Sequence, residues 1–83
     1  MQTYLEKRQP AKNVARFYRM SVMPNLFGEW TLYREWGRIG QGGQVRMDWF
    51  EDENQAVAAL VTLEASKRQR GYWVEPQQLA MFG

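Results

Sequence analysis

Apolar and polar positions alternate most clearly from Val14 to Met23, where Tyr18, Met20 and Val22 fall on one side of an extended chain and Phe17, Arg19 and Ser21 on the other. That period of two predicts a strand, and Pro24 ends it. A second strand begins at Trp30. Trp30, Leu32, Arg34, Trp36 and Arg38 share one face, and Thr31, Tyr33, Glu35 and Ile39 share the other, provided no bulge intervenes. Glycines at 37, 40, 42 and 43 then let the backbone turn. Gln44 to Phe50 returns antiparallel, with Val45, Met47 and Trp49 on one face and Arg46 and Asp48 on the other. Thr3 to Arg8 predicts a short edge strand, ended by Pro10 and a Lys12-Asn13 turn. Between the first two long strands, Pro24-Asn25-Leu26-Phe27-Gly28 reads as a turn whose Leu26-Phe27 pair is apolar enough to fold over an end of the core.

The period changes after residue 51. Asp52 is placed to cap a helix, with Gln55 three residues on completing a capping-box pattern, and Glu51 and Glu53 suit the positive end of the helix dipole. Ala56, Leu60 and Leu63, flanked by Val57 and Ala59, make one apolar stripe at helical spacing, which should lie against the sheet. Lys67, Arg68 and Arg70 fall in the last turns and Gly71 is placed for a left-handed C-terminal cap. A short return runs from Tyr72 to Val74 before Pro76. The elements describe an α+β domain, a small antiparallel sheet of four to five strands with one C-terminal helix packed on it, over residues 1–74, followed by a tail at 75–83.

Composition narrows the chemistry. A chain of 83 residues has room for one core, burying roughly 60% of the surface its unfolded form exposes. It has no cysteine and no histidine, so disulfides, thiol nucleophiles, imidazole bases and the usual zinc ligands are absent. No enzyme activity and no cofactor are expected. The start of the chain lacks a basic region leading into an apolar run, and the longest apolar stretch, Ala56 to Val61, cannot span a bilayer; the expectation is a cytoplasmic protein, with no membrane contact. The net charge is only +2, but Lys7, Arg8, Lys12, Arg16 and Arg19 occur with no carboxylate between Lys7 and Gly28. Arg34, Arg38 and Arg46 continue the series through the sheet. Arginine in that proportion favours oriented contacts with phosphate or carboxylate, although charged strands also serve solubility and edge protection.

Arg34-Glu35-Trp36-Gly37-Arg38-Ile39-Gly40, with Arg16-Phe17-Tyr18 and Leu26-Phe27-Gly28 before it and Lys67 and Arg70-Gly71-Tyr72 after it, resembles the WGR domain family over about residues 13 to 74. Domains of this kind occur singly in bacteria and inside poly(ADP-ribose) polymerases, where they help recognise broken DNA ends. The resemblance implies a small antiparallel sheet with one helix, and an association with nucleic acid. It gives Trp36 a stacking role against a terminal nucleotide. The matching arginine connects neighbouring domains in the polymerases, so Arg38 is left to meet phosphate here.

Several sites have two readings. Trp36 is either a stacking surface or a core residue whose indole N–H finds a backbone acceptor. The glycines from 37 to 43 could line a phosphate cradle, but no lysine-serine or lysine-threonine pair follows and no helix begins there, so hairpin geometry accounts for them. Asp48, Glu51, Asp52 and Glu53 are explained by capping and dipole effects more simply than by metal binding. In the tail, Gln78-Leu79-Ala80-Met81-Phe82 resembles the bacterial sliding-clamp binding peptide, with Gln78 fixing orientation and Leu79, Met81 and Phe82 filling an apolar cleft; the alternative is a tail that packs on an open sheet face. The functional expectation is a module for DNA ends or junctions, able to sit with the nucleoid, using Trp36 and Trp30 for stacking and Arg16, Arg19, Arg34, Arg38 and Arg46 for phosphates. The competing expectation is a protein-interaction adaptor, recruited to a sliding clamp through Gln78, Leu79, Met81 and Phe82.

Overall fold

Two tight turns and one glycine-rich hairpin join four strands in chain order. In the computed structural model, which describes residues 1–73, these are β1 (Gln2–Gln9), β2 (Val14–Pro24), β3 (Trp30–Arg38) and β4 (Gln44–Phe50), each antiparallel to the next, followed by helix α1 (Glu53–Gln69). A single turn of 3-10 helix at Pro10–Lys12 closes the first connection, with Asn13 left-handed at φ 55°. Asparagine tolerates that conformation because its short polar side chain bonds locally.

The second connection corrects one expectation. The side chain of Asn25 accepts hydrogen bonds from the backbone N–H groups of Phe27 (2.9 Å) and Glu29 (3.0 Å), and its own N–H donates to the Glu29 carbonyl. This closes the loop so tightly that its tip points outward. Leu26 and Phe27 are 98% and 87% exposed instead of covering the core.

No bulge interrupts β3, so its alternation is as the sequence predicts. Tyr18 pairs with Trp36, Met20 with Arg34 and Val22 with Leu32 on one face of the sheet, while Phe17, Arg19 and Ser21 pair with Gly37, Glu35 and Tyr33 on the other. α1 covers the first face. Leu5, Tyr18, Met20, Val22 and Leu32 from the sheet meet Ala56 and Leu60 from the helix, with Val57, Ala59 and Leu63 packed around them. Each of the fully buried leucines, Leu5, Leu32 and Leu60, stabilises the fold by about 1.5–3 kcal/mol.

Both ends of α1 are built as the sequence predicts. Asp52 Oδ1 accepts from the N–H of Gln55 at 2.8 Å. At the other end the N–H groups of Tyr72 and Gly71 donate to the carbonyls of Lys67 and Arg68, with Gly71 at φ 96°, the paired bonding of a Schellman cap. The chain then reaches β1. Trp73 exchanges two 2.9 Å backbone hydrogen bonds with Glu6, an isolated antiparallel bridge on the outer edge of β1; Val74, the last residue of the predicted return, lies outside the described residues. Among the described residues no helix is long and apolar enough to cross a membrane. The tail positions Gln78, Leu79, Met81 and Phe82 lie outside the described residues.

Candidate functional site

The helix-covered face is apolar at its centre and cationic at one end. Register explains the change: Lys7 on β1 pairs with Arg16 on β2, and Arg16 pairs with Arg38 on β3. Three cations therefore stand side by side across three strands. Like charges directly opposite one another destabilise a sheet, so an arrangement of this kind is relieved when an anion lies across it. The next row inward is Leu5, Tyr18 and Trp36, again on neighbouring strands. Its two rings are stacked, 12° from parallel with centroids 5.6 Å apart.

The end of α1 completes the enclosure. Its Schellman cap turns the chain so that Lys67, Arg70 and Tyr72 face this corner of the sheet. The Lys67 ammonium sits 4.5 Å from the centre of the Tyr18 ring, and Tyr72 meets that ring edge-on at 6.2 Å. Gly71, at φ 96°, packs beside the Lys7 side chain: a Cβ there would lie 3.3 Å from Lys7 Cε. The result is a cavity of about 440 Å³ lined by Lys7, Val14, Arg16, Tyr18, Trp36, Lys67, Arg70 and Tyr72. Among the described residues no carboxylate lines it. Burial, then the Arg70 and Arg34 guanidiniums, hold the Lys67 ammonium below its ordinary pKa. A group so placed gains when an anion arrives.

The residues singled out in the sequence divide between this corner and other places. Trp36 is half-buried: it packs against the core and also lines the cavity. Arg16 lines the cavity as well. Arg38, exposed and 3.5 Å from Asn13 Oδ1, stands at its rim by register. Arg34 is on the same face but engaged: its guanidinium donates to Asp48 at 3.1 Å and to the Tyr18 hydroxyl at 3.4 Å, and its side chain is only 13% exposed. Arg46 belongs to the same ion cluster, 3.3 Å from Asp48. Trp30 packs against the core in the row of Pro24 and Phe50, at the opposite end of β3.

Arg19 is not brought to this surface. It lies on the open face, 3.5 Å from Glu35 and over the Tyr4 and Phe17 rings at 5.5 and 5.9 Å. On that face Tyr4 donates a 2.8 Å hydrogen bond to Glu6, and burial together with that carboxylate pushes the Tyr4 phenol up to about 12. Of the acidic residues, Asp48 is held by two arginines and Asp52 caps the helix. Among the described residues no group of three or more metal-ligating side chains lies together.

Sequence reasoning did not assign Lys7, Tyr18, Lys67, Arg70 or Tyr72 to a site. Dipole and capping arguments absorbed the helix residues, and alternation absorbed Tyr18. One signal was present: the separated blocks Arg16-Phe17-Tyr18, Lys67 and Arg70-Gly71-Tyr72 supply much of the cavity wall.

Comparison with known proteins places the chain in a family. A protein of Sinorhizobium fredii named uncharacterized protein y4dW is 47% identical over 73 residues, covering 88% of this chain. The chain spans 36% of that relative's length. No solved structure matches it. The family model for the WGR domain matches residues 1–78, and so takes in the sheet, the helix and every residue lining the cavity; the chain belongs to the WGR domain family.

Proposed function

We propose that this chain is a non-enzymatic module that binds nucleic acid, and that the cavity between β1–β3 and the end of α1 receives the end of a DNA strand at a break or junction. The observation that supports this most directly is the composition of the cavity wall: Lys7, Arg16, Lys67 and Arg70 beside Tyr18, Trp36 and Tyr72, with no carboxylate among the described residues that line it. Several cations around one cavity suit phosphate. Aromatic edges and faces beside them suit the sugar and base at a strand terminus, where one ring face is free to stack. Family membership supports the same reading, because WGR domains inside poly(ADP-ribose) polymerases help recognise broken DNA ends. The enclosure is too small to admit a continuous duplex, and no long cationic helix is present among the described residues to read base edges in a major groove.

The experiment is a titration of labelled blunt, overhanging and covalently closed DNA at several salt concentrations. Affinity should fall steeply with salt, linear DNA should compete better than closed circles of the same length, and Arg16→Ala should weaken binding. Binding that is undetectable at low salt, or equal for ends and circles, counts against the proposal. An adaptor reading has its own support in the open face, where Val45, Met47 and Trp49 are exposed.

A further inference from the structure

The two edges of the sheet are treated differently. β1 is covered at its middle by the Trp73 bridge to Glu6, whereas β4 pairs only with β3 among the described residues. β4 has seven residues, no proline and no bulge. Its outward side chains on the open face are Val45, Met47 and Trp49, exposed by 50%, 49% and 62%. Edge strands of this length and polarity are commonly blunted, because their free N–H and C=O groups accept another strand.

The sequence of β4, Gln44-Val45-Arg46-Met47-Asp48-Trp49-Phe50, is complementary to its own antiparallel copy. With Met47 on the two-fold axis, Arg46 of one chain stands opposite Asp48 of the other, twice, on the helix face. On the open face Val45 stands opposite Trp49, twice, and Met47 opposite Met47. Opposite charges and aromatic-aliphatic pairs are the combinations that stabilise neighbouring strands. A shift by two residues in either direction breaks the charge match by setting Arg46 opposite itself or Asp48 opposite itself.

We infer that β4 is a self-association edge, through which two copies of this chain join their sheets into one of eight strands by antiparallel β4–β4 pairing centred on Met47. The two-fold axis runs normal to the sheet, so both helices and both cationic cavities lie on the same side. Arg46 is 62% exposed and its bond to Asp48 within the chain is long at 3.3 Å, which leaves it able to exchange that partner for Asp48 of the second copy. The inference does not depend on nucleic-acid binding.

Sedimentation of the whole chain, free of nucleic acid, from roughly 1 to 200 µM tests it, a range suited to a small interface. A reversible dimer is expected. Arg46→Asp, Asp48→Arg and Met47→Lys should each raise its dissociation constant about tenfold or more, since each sets like charges opposite one another. An equimolar mixture of the Arg46→Asp and Asp48→Arg chains should recover the dimer, because the hetero-pair restores both charge matches. Asp48→Arg also removes the partner of Arg34; if it fails to fold by far-ultraviolet circular dichroism, Arg46→Asp and Met47→Lys, both at exposed positions, decide the matter. A chain that remains monomeric throughout, or a dimer whose affinity none of the folded variants changes, overturns the inference.

Discussion

The rings of Tyr18 and Trp36 lie 5.6 Å apart on adjacent strands, tilted by 12°, and the Lys67 ammonium stands 4.5 Å from the centre of the Tyr18 ring. Trp36 therefore serves the core and the cavity together, and its two contributions separate by substitution. Trp36→Ala should weaken DNA binding by about 1–3 kcal/mol if one base stacks there, and should also lower the unfolding midpoint because a half-buried ring is lost. Trp36→Phe should restore most of the stability and part of the affinity. Fluorescence anisotropy with labelled DNA, read beside urea denaturation, checks both; a loss of stability with unchanged affinity would confine Trp36 to the core.

The row of Lys7, Arg16 and Arg38 makes an opposite pair of expectations. Without ligand, Arg16 faces a cation on each side, so Arg16→Gln should stabilise the free protein by about 0.2–1 kcal/mol. With DNA, the same change should reduce the slope of log affinity against log salt by about 0.9 if Arg16 meets one phosphate. A residue present only for solubility would not show that trade between stability and binding. Urea denaturation and salt-dependent titration of the one variant supply both readings.

Much of this architecture is visible in the chain before any coordinates. The alternation of β2, β3 and β4 assigns Tyr18, Trp36 and Val45 to their faces correctly because no bulge shifts the register. Asp52 and Gly71 mark the helix ends because capping is local chemistry. What local chemistry cannot reveal is which ends of different elements meet. Lys7 and Lys67 are sixty residues apart in sequence, and their convergence follows from strand order and from where the Schellman cap turns the chain. Leu26 and Phe27 show the other failure: their apolar character suggests burial, but two hydrogen bonds to Asn25 decide the loop's shape first. Arg34 and Arg19 were indistinguishable from Arg16 by residue type. Asp48 withdraws the first into an ion pair, and the second, three residues from Arg16 along β2, falls on the opposite face by the same alternation that the sequence already shows.

Lys67 provides a pH-dependent signature. Its pKa in the folded protein lies below the ordinary 10.5, first because it is partly buried and then because Arg70 and Arg34 are near. The unfolded chain therefore binds the proton more tightly. Folding carries a penalty from this group while it is charged, and that penalty is relieved as pH rises from the folded pKa towards 10.5. An anion in the cavity opposes the shift. Following the Lys67 Cε resonance against pH should show a midpoint below 10.5 in the free protein and a higher one with pyrophosphate present. A midpoint that pyrophosphate does not move would place the anion elsewhere.

The glycine hairpin yields the sharpest contrast within a single loop. A Cβ on Gly43 would lie 2.5 Å from the Trp36 carbonyl oxygen and 3.0 Å from Phe17 Cζ, whereas one on Gly42 would meet nothing within 4 Å. Gly43 is thus where the returning strand passes against the backbone that carries Trp36, and that backbone cannot retreat without opening the β3–β4 pairing. Gly42→Ala should be nearly neutral, and it is free to stabilise slightly by restricting the unfolded chain. Gly43→Ala should cost about 1–3 kcal/mol, on the scale of forced local strain, and should displace the Trp36 end of the cavity. Paired denaturation curves test the stability difference. Tryptophan emission and DNA affinity of the folded Gly43→Ala protein test whether the cavity depends on this close approach; if the two alanine variants behave alike, backbone crowding at residue 43 is not what holds Trp36 in place.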